Sequence, residues 1–272
     1  TKYQEMLTTI AAGRVYNFSH VIGRDSSRGT SFHSPSAIAL TQDSVAYVLS
    51  RGNEASFGTR IGKVTIWPPG REELLCEFGQ RGTDEGQLTW PTSLALDMDG
   101  NVYVSDEWLN RISVFDKDGN FLHKWGTPGT NDGELNRPAG MIFDKENCLY
   151  IVDSMNNRIQ KFTDDGSFLT KFGEYGSGEG QFKLPWGITI DKQGNLYVAD
   201  WKNHRVQKFS SDGEFLNAFG VLGNGVGQLD HPSDMAIDDD GDVYICDWGN
   251  NRVQIFDEYG EFITSLIGDA QE

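Results

Sequence analysis

Cysteine is scarce in this chain, with only Cys76, Cys148 and Cys246 among 272 residues. An odd number at unrelated spacings excludes a disulfide framework and a zinc ribbon. The three are expected as packing thiols in a reducing, cytoplasmic setting. Long apolar runs are also missing, since none approaches the roughly 18 residues of a membrane span. The opening Thr1-Lys2-Tyr3-Gln4-Glu5 lacks the charged-then-apolar pattern of a signal peptide, and its lack of an initiator Met leaves a removed signal open. Basic residues are few, 23 against 40 acidic, for a formal charge of −17. A field of that sign disfavours phosphate backbones and anionic membranes, so neither is expected as a partner. Helical spacing is absent over any useful window.

What is present is a repeat. Pro91, Pro138, Pro185 and Pro232 are spaced by 47 residues, and Asp106, Asp153, Asp200 and Asp247 keep the same step. So do Tyr103, Tyr150, Tyr197 and Tyr244, and Arg111, Arg158, Arg205 and Arg252. An earlier copy starts at Pro35 and carries Tyr47 at the matching offset. A fixed period of this size means supersecondary units that bury their faces against their neighbours. In the third copy, Pro138 to Phe143 reads as a short strand whose first residue needs no ladder N–H. Cys148 to Asp153, Arg158 to Phe162 and Phe168 to Gly173 follow as three more strands, separated by Asp-, Asn- and Gly-rich turns. A Gly-rich crossing then leads to the next Pro. Four antiparallel strands and a crossing describe a propeller blade.

Several segments resemble NHL repeats: Val102 to Asp106 with Asn110-Arg111, Leu196 to Asp200 with His204-Arg205, and Val243 to Asp247 with Asn251-Arg252. The Gly-Gln-Leu/Phe-x-x-Pro entries at Gly86, Gly180 and Gly227 add to the resemblance, which covers residues 30–268. It implies an all-β propeller, commonly six-bladed, with a central channel, in a family holding protein-binding modules, RNA-binding modules and enzymes. The whole chain, 1–272, is expected as one such domain.

Columns shared by every blade serve what every blade shares. Each Asp of the 106 column is expected to cap its loop and pair with the Arg five residues on. Losing one should cost about 1–2 kcal/mol. Asp97, Asp144, Asp191 and Asp238 are expected to form Asx turns. Asp238, Asp240 and Asp242 form the densest acidic turn, a weak candidate for calcium because the full twelve-residue loop is missing.

Departures from the columns are the better functional candidates. After the Pro come Ser36, Thr92, Ala139, Trp186 and Ser233, then Ala37, Ser93, Gly140, Gly187 and Asp234. Trp186 and Asp234 break a run of small residues. Trp90, Arg137, Trp186, His231, Asp234 and Arg51 are therefore expected to ring one mouth of the channel, with Trp108, Trp201 and Trp248 nearby. Trp125 falls in an outer strand. The first copy is nine residues longer than 47, mostly within the loop 51–60, a candidate lid.

The leading expectation is a scaffold that binds a protein, peptide or small molecule at the channel mouth, with no cofactor required. The alternative is a hydrolase or lyase using His231, Asp234 and Arg137, with or without a channel metal. Amidating lyases of this propeller type place zinc-binding His residues after the strand-opening Pro, where this chain has none. No nucleophile elbow, phosphate loop or HExxH motif occurs. Of the five histidines, only His33 and His231 are expected near the mouth. Finally, residues 1–23 are expected to supply only the outer half of a sixth blade, with Met6 to Ala12 and Asn17 to Gly23 as its strands. Such a half blade would leave an edge for a strand-donating partner.

Overall fold

Each Pro-led copy becomes one four-stranded antiparallel sheet. The computed structural model describes residues 8–11, 13–17, 19, 22, 32, 34–52, 59–69 and 71–267. Blade 1 consists of Pro35–Leu40, Val45–Ser50, Arg60–Thr65 and Leu74–Phe78, and blade 2 of Pro91–Leu96, Val102–Asp106, Arg111–Phe115 and Phe121–Trp125. Blades 3, 4 and 5 span 138–172, 185–219 and 232–267 in the same order, innermost strand first. Innermost strands of consecutive blades pack side by side from blade 1 to blade 5. They approach so closely that a Cβ on Gly187 would lie 2.7 Å from the Ser233 carbonyl oxygen, which explains the small residues of that column. Among the described residues no helix is long and apolar enough to cross a membrane.

The core lies between blades. In blades 1 to 3 the second-strand Tyr reaches forward: Tyr47 Oη donates to the Lys117 carbonyl, Tyr103 to Asp164 and Tyr150 to Ser211. Each crossing drives one apolar plug into the same seam, and Leu88, Leu135, Phe182 and Leu229 are all fully buried. In three of the crossings a two-residue parallel bridge, such as Gln80–Arg81 with Gln87–Leu88, holds the plug in place.

The first and fifth blades do not pack on each other as consecutive blades do. Ile38 is 60% exposed, whereas its counterparts Leu94, Met141 and Ile188 are 6%, 3% and 5% exposed. On the facing side Cys246 is exposed, although Ser105, Val152 and Ala199 at the same position are fully buried. Cys246 is thus not the packing thiol that composition suggested. A cavity of about 420 Å³ separates the two blades, lined by Ile38, Val48, Ile22 and Phe32 on one side and Asp234 and Cys246 on the other.

A hairpin of Thr8–Ala11 and Arg14–Asn17 sits beside blade 5, with Ile10 opposite Val15. Arg14 pairs with Asp242, and the Tyr16 ring meets Tyr244 edge-on at 6.5 Å. The turn falls at Gly13 as expected, with φ +79°. The second strand begins at Arg14, three residues before the expected Asn17, because the turn is only two residues long.

Candidate functional site

The conserved-offset Asp column proves to be an internal hub. Asp153 accepts hydrogen bonds from the Asn136 amide (2.6 Å), Asn156 Nδ2 (2.8 Å), Arg158 Nε (2.7 Å) and Gln160 Nε2 (3.0 Å). Arg158 continues to the carbonyls of Thr130, Asn131 and Glu134, tying the crossing to the blade. Asp200 and Asp247 repeat this network with Arg205 and Arg252. Burial pushes the Asp153 and Asp200 carboxyls above the usual range, against the pull of these donors. Blade 2 departs from the expected pairing. Asp106 accepts from the amides of Thr89, Trp90, Trp108 and Leu109, while Arg111 turns wholly to the crossing carbonyls. Ser113 stands where the other blades carry Gln160, Gln207 and Gln254, so the side-chain half of the network is missing there.

The turn acids behave as expected. Asp97, Asp144, Asp191 and Asp238 each accept two amides of their own turn through Oδ1. Calcium is not supported at Asp238, Asp240 and Asp242. Asp238 also accepts from Tyr244 Oη, Asp242 is buried against Arg14, and the three carboxylates do not converge.

The channel mouth carries a pocket of about 450 Å³ lined by Arg51, Thr92, Trp186, Trp201 and Trp248, with small residues Ser34, Ser36 and Ser233 between them. Trp201 lies 6.5 Å from Trp186 and 6.4 Å from Trp248, centroid to centroid. Arg51 caps the opposite side. Its guanidinium stands 4.7 Å over Trp90 and donates to the Pro91 carbonyl. Burial holds the Arg51 pKa below its ordinary value and the Glu107 carboxyl above its own. Of the loop 51–60, residues 53–58 lie outside the described residues, as does His33.

Of the residues expected to ring the mouth, Arg51 and Trp186 line this pocket, and the others lie at a different radius. Arg137 is exposed on that face outside the pocket lining, its backbone N–H bonded to Asn110 Oδ1 at 2.7 Å. Asp234 lines the cavity between blades 1 and 5, where it accepts the Met235 amide. Water reaches that carboxylate, but the protein crowding it in the channel pushes its pKa up to about 6. The catalytic trio does not assemble, because His231 pairs through Nδ1 with Asp230 at 2.7 Å and makes no ion pair with Asp234. His231 also packs at a tilt against Trp201 at 4.3 Å and edge-on to His204 at 4.4 Å. His204 and Asp230 are rim residues that column reading passed over. Their signal was present: His204 replaces Asn110, Asn157 and Asn251 at a left-handed position, with φ +55°.

Five four-stranded blades with a mouth pocket define a β-propeller. The profile of the NHL repeat matches residues 182–209 and 229–256, the segments that carry Trp186, Trp201, His231 and Trp248. The chain thus carries NHL repeats at these two positions. A profile described as a 6-bladed beta-propeller matches residues 82–161. The B-box type zinc finger protein ncl-1 of Caenorhabditis elegans is 39% identical over 64 residues, 21% of this chain and 8% of that protein. Protein brain tumor of Drosophila melanogaster is 35% identical over 68 residues, 23% of this chain and 7% of that protein. The matches thus span less than a tenth of these relatives. Among solved structures, a virginiamycin B lyase from Staphylococcus aureus with quinupristin superposes with a TM-score of 0.61 at 16% identity, covering 92% of this chain and 74% of the lyase. A streptogramin B lyase gives 0.62 at 15% identity, covering 96% and 74%. At such identities the likeness is one of fold.

Proposed function

We propose that the chain is a protein-interaction propeller that holds a peptide or protein segment at the tryptophan-lined mouth. The observation that carries this reading is Trp186, placed where every other blade has Ser, Thr or Ala, and joined by Trp201 and Trp248 around one pocket. The tightly packed ring alone does not require these rings, whereas a concave aromatic surface with one guanidinium suits an extended peptide. The NHL-repeat relatives fit a binding role, and three unpaired cysteines fit a cytoplasmic setting.

We infer further that the ring has six-blade pitch, with the hairpin 8–17 as the outer half of the sixth blade. The under-buried faces of blades 1 and 5 and the cavity between them support this reading. Two more strands of propeller chemistry would complete it.

Trp186→Ser installs the residue that blade 5 carries, so the fold should survive. Immobilised Trp186→Ser is expected to retain at least about tenfold less of a partner than wild type, the scale of one interface anchor. The control is Trp125→Phe rather than an alanine variant, because Trp125 packs on Phe162 at 5.1 Å and its counterparts are Phe172 and Phe219. Equal losses in the two variants would move the binding surface away from the mouth.

A further inference from the structure

We propose that His204, Asp230 and His231 form a binding site for a divalent transition metal of the zinc type on the rim between blades 4 and 5. One ligand atom from each lies within 4.8 Å of the others, and this is the single such cluster among the described residues. Two imidazoles and a carboxylate are borderline donors that suit zinc, nickel or copper, and they leave a coordination position open.

The repeat provides its own control for how unusual this junction is. At the blade 3–4 junction, Asn157 Oδ1 accepts the Leu184 amide at 2.9 Å, and Asn110 does the same for Arg137. At the blade 4–5 junction the Asn is His204, and its Nδ1 takes the His231 amide at 3.2 Å. The residue two before the Pro is Asp230 here and His33, Thr89, Asn136 or Lys183 in the other copies; the next is His231 here and Ser34, Trp90, Arg137 or Leu184 there. A fourth departure makes room for them. A Cβ on Gly249 would lie 2.6 Å from the Asp230 carboxylate carbon, and the corresponding residues are Trp108, Met155 and Lys202. Four coordinated changes at one junction, three of them to ligand types and one to Gly, describe a built site.

The hydrogen bonding points the same way. The His204 Nδ1 lone pair that accepts the His231 amide also faces Asp230 Oδ1 at 3.2 Å, and a metal bound at Nδ1 takes that lone pair in place of the amide hydrogen. Two acceptors at that separation repel unless a proton or a cation is shared between them. Ligand atoms on a tetrahedral zinc lie about 3.4 Å apart, given zinc–nitrogen and zinc–oxygen distances near 2.1 Å. The His204–Asp230 pair at 3.2 Å is close to that spacing, and the His231–Asp230 pair at 2.7 Å needs to open by about 0.7 Å. Asp230 is anchored through its backbone, the amide donating to Asp247 Oδ1 and the carbonyl accepting the Gly249 amide, both at 2.7 Å. This site stands whether or not the mouth binds a peptide.

The test uses untagged protein, stripped with chelator and titrated with Cu²⁺ while tryptophan emission is recorded. Trp201 packs against His231, so bound copper should quench saturably with one equivalent, and Zn²⁺ should reverse the quenching by competition. His204→Asn, Asp230→Asn and His231→Leu each install a residue found at another blade, which protects the fold. Each should weaken binding more than about 100-fold, beyond the range seen for loss of an outer-shell partner. The absence of saturable quenching in wild type would overturn the site. Unchanged affinity in any variant with wild-type circular dichroism would also remove that residue's role.

Discussion

Asp153→Ala should lower the unfolding free energy by about 3–5 kcal/mol, the range for breaking a buried charged pair on one side. The sequence alone suggested about 1–2 kcal/mol, the cost of a solvated cap. The difference comes from the surroundings. Asp153 is fully buried, and its removal strands the Arg158 guanidinium nitrogen, two side-chain amides and the Asn136 N–H together. Arg158 would keep its three crossing carbonyls, so the crossing between blades 2 and 3 should loosen rather than dissolve. Asp153→Asn should fall in between, since it keeps an acceptor but loses the charge. Urea denaturation followed by circular dichroism measures this. A loss below about 1 kcal/mol for the alanine variant would show that the hub contributes no more than a surface cap does.

The second large effect is a contrast between two equivalent positions. Met141→Ala should cost about 2–5 kcal/mol, because it empties a nearly closed site between blades 2 and 3. Ile38→Ala, at the same offset in blade 1, should cost under about 1 kcal/mol, because its side chain already faces solvent across the gap. Both substitutions delete a similar apolar side chain from the same strand position, so most propensity effects cancel. Comparable costs at the two sites would mean that the face of blade 1 is covered in solution, and the open-gap reading would fail.

The blades were legible because their signals are local and repeated: Pro opening a strand, alternating β-formers, Asn or Gly at left-handed turns. What escaped lies between segments. The plug residues Leu88, Leu135, Phe182 and Leu229 look like loop residues in a Gly-rich stretch, and only the seam they enter shows why they are apolar. The Asp hub was half visible, since the Arg five residues away is near in sequence while the Asn136 amide is 17 residues back. Trp186 was found as a break in a column of small residues, and the pocket contains it. Asp234 broke a column too, and Arg137 was expected beside it at the mouth, but Asp234 sits in the cavity between blades 1 and 5 and Arg137 outside the pocket. A column fixes height along the axis and not distance from it. His204 was overlooked because imidazole can take over the amide-accepting role of Asn, and only its approach to Asp230 and His231 sets it apart.

Site-specific photocrosslinking tests the tryptophan mouth as the binding face most directly. A benzophenone side chain placed at Trp248, on the exposed rim of the pocket, should capture a partner from cell extract in high yield. The same group at Leu169, also exposed but on the outermost strand of blade 3, should capture none above background. Adding Trp186→Ser to the position-248 probe should abolish capture while leaving the thermal melt in place. Capture from position 169 and not from position 248 would contradict a mouth-binding propeller and place its partner on the outer edge of the ring.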